Sequence, residues 1–236
     1  MYLFKIPMEL APILAKIVFN KNGVEIGGLS PTGNIIYSLT KNLDNIIYSQ
    51  DKIVIKKNKK KYHYHPGKVG KVIINDATNI ESIKNNTYDY LYASHVLEHI
   101  ANPIKALEEW LRVIKNEGYL ILILPEKSKT FDHLRAISSF ETLLKQYENY
   151  VKEDDLSTLP EIFKYHDVKK DPGVSTIEEF KERSYKNYEN RCLHHYVYDE
   201  KLLKKICTYL KCHFIFSETR GVDIWFIIKK PKNYLC

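Results

Sequence analysis

The stretch from Tyr88 to Pro125, YDYLYASHVLEHIANPIKALEEWLRVIKNEGYLILILP, decides the fold class of this chain. Its order of residue types predicts a strand, a polar turn, a helix that ends near a glycine, and a second strand that ends at a proline. The polar turn carries Ser94, His95, Glu98 and His99 directly after the first strand. In open α/β sheets, ligands bind at the carboxyl ends of the strands. The stretch therefore predicts both a fold class and the position of a site.

The alternation of strand and helix continues on both sides of this stretch, which is typical of a mostly parallel, doubly wound sheet. The last two strands are joined by so short a link that they must be antiparallel. We therefore predict an α/β, Rossmann-like sheet of seven strands whose last strand is antiparallel. The predicted strands are Val24 to the glycine turn at Gly28, Asn45–Ser49, Lys71–Asn75, Tyr88–Ala93, Tyr119–Leu124, Cys212–Glu218 and Asp223–Lys229. The predicted helices of this core are Pro7–Phe19, Pro31–Leu43, Ile80–Lys84, Pro103–Ile114 and Asp199–Leu210.

The rhythm of strands and helices breaks after Pro125. Residues from Glu126 onward are polar, rich in charge and aromatic side chains, and mainly helical in pattern. We expect a single domain over residues 1–236, with a core of about 1–125 and 199–236 and a helical cap of about 126–198. A cap in this position would cover the predicted site.

Composition is that of a soluble globular protein, with 44% hydrophobic and 28% charged residues among 236. The net charge of +7 comes in part from the lysines at 56–57, 59–61 and 229–230. A solvated lysine face is the interpretation we favour, although a nucleic-acid groove, or a field that attracts a small anionic substrate, would also fit. We expect a small-molecule acceptor rather than nucleic acid, and the oligomeric state stays open.

The sequence also bears on location. It contains no apolar run long enough to span a bilayer and no secretory signal at its N-terminus. Its four cysteines have neither CxxC spacing nor a zinc signature, which favours reduced thiols; they are Cys192, Cys207, Cys212 and Cys236. We expect a cytoplasmic protein that does not contact a membrane.

Polar or flexible residues follow three of the predicted strands. Gly27 and Gly28 follow the first strand, where a backbone without side chains lets a cofactor approach closely. Asp76 ends the third strand, where a carboxylate could accept a hydrogen bond from an adenine amino group; a turn-forming aspartate is an equal alternative.

This order of features resembles the class I S-adenosylmethionine-dependent methyltransferases, and specifically their type 11 branch. The run VLEHIANPIKALEEWLRVIKNEGYLILILP stands where that family has its familiar run after strand four. The resemblance covers roughly residues 22–125, and residues 199–230 by topology alone. It implies methyl transfer from S-adenosylmethionine, with S-adenosylhomocysteine as the product.

The resemblance also assigns the cofactor-binding residues. Glu25, Gly27 and Gly28 match the first motif, which wraps the methionine part of the cofactor. Asp76 and Ala77 match the adenine side, and Ser94 and His95 match the positions after strand four that line the pocket. The first motif is shortened here, and no clear acid ends strand two to bind the ribose; Gln50 or Asp51 is the nearest candidate.

The insertion holds three polar pairs, Asp132–His133, His166–Asp167 and His194–His195, and the first and last are candidates for the chemistry on the acceptor. The segments FDHLR and RCLHHYVYD must return to the same edge of the sheet, so we expect their polar residues near the methyl donor. Histidine suits a general base near neutral pH. We predict His133, His194 or His195 as that base, with His95 as the runner-up, and we assign substrate binding to His99, Asp132, Arg135 and Arg191.

Several alternatives remain open from the sequence. The spacing of His95 and His99 could be half a metal site, or His95 could touch the cofactor while His99 packs at the helix start. The His/Asp cluster could bind a divalent cation instead of acting as a base. The favoured function is O-methylation of a small anionic or phosphorylated metabolite, sugar or nucleotide-sugar; the alternatives are an RNA or protein methyltransferase and a non-catalytic cofactor-binding subunit.

Overall fold

The structure is a computed structural model that describes residues 9–48 and 61–234. Its strands are β1 Asn22–Ile26, β2 Asn42–Ile47, β3 Lys61–His65, β4 Lys68–Ile74, β5 Tyr88–Ser94, β6 Ile114–Pro125, β7 His213–Arg220 and β8 Asp223–Lys229. Its helices are α1 Leu10–Val18, α2 Asn34–Leu39, α3 Pro103–Val113, α4 Phe140–Glu148, α5 Leu159–Tyr165, α6 Ile177–Tyr185, α7 Asn187–Asn190 and α8 Glu200–Tyr209. The predicted ribose-binding candidates Gln50 and Asp51, lysines 56–60 and Cys236 lie outside the described residues.

The eight described strands form one sheet in the order β3-β4-β2-β1-β5-β6-β8-β7. The strands from β4 to β6 in this order pair in parallel, and β8 is antiparallel to both of its neighbours. The mostly parallel, doubly wound sheet with a closing hairpin is therefore confirmed.

The sheet has one strand more than the seven predicted. The additional strand, β3, pairs antiparallel with β4 at the edge of the sheet and begins at Lys61, the last lysine of the run at 59–61. Its sequence KYHYH alternates, and the side chains of Tyr62 and Tyr64 are buried while Lys61 and His63 are exposed. This period of two was the available signal for a strand.

Helices cover both faces of the sheet. Successive side chains of a strand point to opposite faces, so a strand that is apolar throughout presents apolar side chains to both. On β5, Leu91 and Ala93 join the apolar cluster under α3 and α8, whereas Tyr90 and Tyr92 join the cluster under α1 and α2. A third, smaller cluster lies among the helices between β6 and α8; its buried members are Leu159, Ile162, Phe180 and Leu193.

The predicted helix at Ile80–Lys84 is wrong: these residues form turns. Side chains of α3 form hydrogen bonds with backbone groups of this segment. Glu109 accepts from the Ile80 amide at 3.1 Å, and Arg112 donates to the carbonyls of Ile80 and Ile83, at 2.8 Å each. Hydrogen bonds from α3 therefore pair backbone groups of residues 80–84 in the absence of a helix.

In the part of the chain that the structure describes, no helix has both the length and the apolar character needed to cross a membrane.

Glu25 on β1 is a charged residue type held inside the tyrosine-rich face of the sheet. It is fully buried, and the hydroxyls of Tyr37 and Tyr62 donate to its two carboxyl oxygens, the former at 2.9 Å. Burial raises the pKa of Glu25 to about 8, against the lowering effect of the two tyrosine hydrogen bonds. Near neutral pH the folded protein therefore favours a protonated, uncharged Glu25.

This burial predicts that stability depends on pH through Glu25. Between its ordinary pKa of 4.5 and about 8, the folded chain holds a proton that the unfolded chain has released. The free energy of unfolding should therefore fall as the pH rises through this range, by at most about 1.4 kcal/mol per pH unit. Replacement Glu25→Gln mimics the protonated carboxyl and should remove this part of the slope.

The measurement is urea unfolding at pH 5, 6, 7 and 8 for both proteins. The surface variant Glu81→Gln serves as the matched control, and its slope should parallel that of the wild type. Parallel slopes for Glu25→Gln and the wild type would show that Glu25 does not carry this proton.

Candidate functional site

A pocket of about 250 Å³ opens at the carboxyl ends of the parallel strands. Residues that follow β1, β2, β4 and β5 line it, together with three residues from the segment between β6 and α8. Its wall is largely apolar, with a few polar groups among aliphatic side chains, as is usual for a small-molecule site. The lining residues are Ile26, Gly27, Ile46, Ile47, Tyr48, Asn75, Asp76, Ala77, His95, Val96, His99, Ile100, Glu153, Asn190 and Arg191.

Gly27 brings the backbone against this pocket directly after β1. Its φ of +101° is a conformation that side chains disfavour, and a Cβ at this position would lie 2.9 Å from Cγ2 of Val96. Its amide donates to the carbonyl of Ile46 at 2.9 Å, which holds the turn against β2. Only glycine fits this position without a shift of its neighbour.

Asp76 presents a carboxylate to the pocket after β4. One oxygen accepts from the amide and hydroxyl of Thr78, at 2.8 and 2.6 Å, and the other lies 3.4 Å from a guanidinium nitrogen of Arg191. Next to it, the carbonyl of Ala77 accepts from the indole of Trp110 at 2.9 Å. The turn is therefore fixed to α3, and the carboxylate is held at the rim.

His95 stands at the end of β5 in a left-handed conformation, with φ of +53°. Its Nε2 lies 2.8 Å from Oδ1 of the buried Asp223, and its Nδ1 lies 3.7 Å from Oε1 of Glu98. Burial opposes protonation of His95, but the Asp223 hydrogen bond and the nearby carboxylates raise its pKa above the ordinary value. His95 is thus a carboxylate-oriented imidazole on the pocket wall.

The other predicted cofactor residues lie behind or beside this wall. The side chain of Glu25 lies on the sheet face under α1 and α2, where it accepts hydrogen bonds from Tyr37 and Tyr62, and it does not line the pocket. The hydroxyl of Ser94 lies 3.0 Å from that of Ser30 and 3.2 Å from that of Thr32, in a cluster that ties the glycine turn to β5. Gly28 follows Gly27 but does not line the pocket. Four of the predicted residues do line it: Gly27, Asp76, Ala77 and His95.

Arg191 brings the segment after α7 into the pocket. Its guanidinium stacks on the ring of Tyr48, 3.9 Å from the centroid, and one nitrogen lies 2.9 Å from a carboxylate oxygen of Glu153. Sequence reasoning missed Glu153 and Asn190, because their only signal is the tertiary position of an insertion whose course the sequence does not reveal. It also missed Tyr48, which directly follows β2.

Arg135, predicted to bind substrate, is instead saturated by its own chain. It is 2% exposed, and its five N–H groups face Asp132, Glu161 and the carbonyls of His194 and His195. A substrate anion could reach this guanidinium only by breaking these contacts. The arrangement favours a role in holding three segments together.

The three histidines predicted as the base occupy different surroundings, and none of them lines the pocket. His133 pairs with Asp167 at 2.9 Å, and His195 is buried beside Asn187, where burial lowers its pKa to about 4. His194 comes nearest, because its ring packs against that of the pocket residue His99, with centroids 4.5 Å apart.

His95 and His99 do not share a helix face as the spacing predicted. The backbone changes direction at His95, which has a left-handed conformation, and a single 3₁₀ turn over Leu97–His99 follows. Burial and the nearby histidines hold the pKa of His99 well below its ordinary value.

Comparison with known proteins agrees with this architecture. Residues 30–122 match the family model described as a methyltransferase domain, a range that begins just after the glycine turn. No curated protein matches the chain.

Solved structures with the same fold cover most of the chain. A protein of Pyrococcus horikoshii superposes with a TM-score of 0.54 at 14% identity, covering 94% of this chain and 87% of that one. A S-adenosylmethionine-dependent methyltransferase of Aquifex aeolicus superposes with a TM-score of 0.51 at 12% identity, covering 94% and 88%. At such identities these structures show the fold alone.

The family match and the fold agree with the sequence motifs, which predict S-adenosylmethionine as the methyl donor. Residues 30–122 match the methyltransferase domain family, and the sheet has the fold of solved S-adenosylmethionine-dependent methyltransferases; together these support a class I S-adenosylmethionine-dependent methyltransferase.

Proposed function

We propose that this methyltransferase acts on a hydroxyl group of a small acceptor, and that His95 is the general base. The observation that carries the proposal is the pair His95–Asp223, an imidazole on the pocket wall held at 2.8 Å by a buried carboxylate. A hydroxyl must lose its proton during transfer, whereas the rest of the reaction requires mainly positioning.

The residues around the pocket fit the cofactor. The bare backbone at Gly27 leaves room for a ligand against β1, and the aliphatic wall suits a purine ring. Asp76 offers a carboxylate oxygen that could accept from an amino group, and Ala77 lies beside it. When bound, S-adenosylmethionine supplies an electrophilic methyl group on a sulfonium centre.

The size of the acceptor is inferred from what surrounds the pocket. Three residues of the segment between β6 and α8 reach the pocket: Glu153, Asn190 and Arg191. We propose that this segment, residues of about 126–198, forms a cap over the pocket. A wall on this side leaves little room for a polymer. This supports a small metabolite, such as a sugar, over RNA or protein.

The predicted negative charge of the acceptor finds less support than its size. Arg135 has no free N–H, and Arg191 lies beside the carboxylates of Asp76 and Glu153. Any acceptor phosphate would have to compete with these internal partners. We therefore propose a neutral or weakly charged hydroxyl compound. The cytoplasmic location stays a prediction.

The proton-transfer role of His95 predicts a split between turnover and cofactor binding. His95→Gln should lower kcat by about 10²–10⁴-fold with an acceptor hydroxyl, because the proton loses its acceptor. Asp223→Asn should lower kcat less, since the imidazole remains but loses its oriented partner. The dissociation constant for S-adenosylmethionine should change by less than about threefold in both variants, because Gly27 and Asp76, which we propose hold the cofactor, stay unchanged.

The readout is S-adenosylhomocysteine release with a panel of sugars, sugar phosphates and nucleotide-sugars, with RNA and a peptide pool tested in parallel. Methylation of RNA or peptide alone would overturn the small-acceptor proposal. Unchanged kcat in His95→Gln would remove the assigned base.

Gly27 predicts the cofactor's place independently of turnover. Gly27→Ala should weaken S-adenosylmethionine binding about tenfold or more, because the new methyl group occupies the space beside the turn. Gly67→Ala is the matched control: it also has a positive φ, of +74°, but lies in the β3–β4 turn at the other end of β4. Titration calorimetry compares the two variants with the wild type. Equal affinity in Gly27→Ala and Gly67→Ala would place the cofactor elsewhere.

A further inference from the structure

A buried polar cluster lies directly behind the pocket, and none of its three members is the base proposed above. It consists of Glu98 and His99, in the 3₁₀ turn after β5, and His194, in the segment before α8. One possible ligand atom from each residue lies within 4.8 Å of the other two. The cluster therefore joins two regions that are distant in sequence.

Glu98 is the unusual member of this cluster. Its side chain is fully buried, and neither carboxyl oxygen has a hydrogen-bond partner among the described residues. Nδ1 of His95 and Nε2 of His99 lie 3.7 and 4.0 Å from its Oε1, beyond hydrogen-bond distance. A buried carboxyl group without partners is costly, and a bound cation is one way to satisfy it.

His194 is held as metal-binding histidines commonly are. Its Nδ1 lies 2.5 Å from Oδ2 of Asp132, and Asp132 is fixed in turn by Arg135 at 2.9 Å. A carboxylate on one ring nitrogen orients the imidazole and leaves the other nitrogen, Nε2, for the cluster. The main-chain carbonyl of Glu98 also accepts from the amide of His195 at 2.8 Å, which keeps the two ligand-bearing segments together.

We propose that Glu98, His99 and His194 bind a divalent transition-metal ion, with Asp132 as the outer partner of His194. Two imidazoles and one carboxylate suit Zn²⁺, Mn²⁺ or Fe²⁺ better than Mg²⁺ or Ca²⁺, which prefer oxygen ligands. Ligand atoms of a tetrahedral Zn²⁺ site lie roughly 3.4 Å apart. The three groups, now within 4.8 Å of one another, would therefore need to close by at most about 1.4 Å on binding.

The position of the ion would connect it to the pocket. His99 lines the pocket, so a coordination position left open by three protein ligands could face the bound acceptor. There the ion would hold an acceptor oxygen beside His95. This last step rests on the proposed function, whereas metal binding itself does not.

The test uses the full chain, freed of metal with a chelator, and titrates it with Zn²⁺ by calorimetry in the absence of S-adenosylmethionine. We expect one ion per chain. Glu98→Gln should weaken binding about 100-fold, and Asp132→Asn about tenfold through loss of the outer partner. The double variant His63→Asn/His65→Asn, which removes histidines of the edge strand β3, should bind like the wild type.

Co²⁺ gives a readout that does not depend on the folding of any variant, because its visible spectrum distinguishes nitrogen and oxygen ligands from thiolates. A wild-type protein that binds no stoichiometric Zn²⁺, or a Co²⁺ spectrum of thiolate ligation, overturns the proposal. So does binding that is lost in His63→Asn/His65→Asn but kept in a folded Glu98→Gln. Separate titration with S-adenosylmethionine tells failure of this site from failure of the cofactor pocket.

Discussion

The parallel pairing of β1, β2, β4 and β5 is the constraint on which the site depends. Strands that run in the same direction end at the same edge of the sheet, so the residues that follow them meet without being adjacent in sequence. The register fixes their separation, since Ile26 pairs with both Ile46 and Ala93. Beyond these pairs the backbone leaves the ladder, and Gly27, Asp76 and His95 become free to face a ligand.

A second constraint is that the buried charge of Arg135 must be paired by hydrogen bonds within the protein. Arg135 lies where water cannot reach it, and its five N–H groups join the chain after β6, helix α5 and the segment at 194–195. Removal of one partner would leave a charge unpaired, which is strongly destabilising for a buried ion pair. Polar contacts thus hold the segment after β6 in place, whereas the sheet faces depend on apolar packing.

The sequence was a good guide wherever local periodicity carries the information. Short apolar runs bounded by turn residues identified seven of the eight described strands, and the residues after β1 and β4 pointed to Gly27 and Asp76 at the edge of the sheet. The period of two along a strand implies that Glu25 faces away from Val24 and Ile26, but nothing local indicates that tyrosines receive it. Period alone therefore could not place this carboxyl.

The histidines show where sequence reasoning reached its limit. The spacing of His95 and His99 suggested one helix face, but a left-handed residue and a short 3₁₀ turn separate their directions. Which histidine of the insertion meets the sheet depends on how α4 to α7 pack, and this is set by contacts between residues far apart in the chain. His194 reaches His99 across 95 positions for that reason.

Arg191 gives the pocket a thermodynamic property that follows from its position. Because it contacts Tyr48 and Asp76 of the core and Glu153 of the later segment, it forms part of the wall and part of the link between them. A ligand that binds only this closed arrangement also stabilises it, by an amount that grows with the logarithm of ligand concentration. By the same linkage, any change that loosens the segment around α7 lowers the affinity of that ligand without touching it.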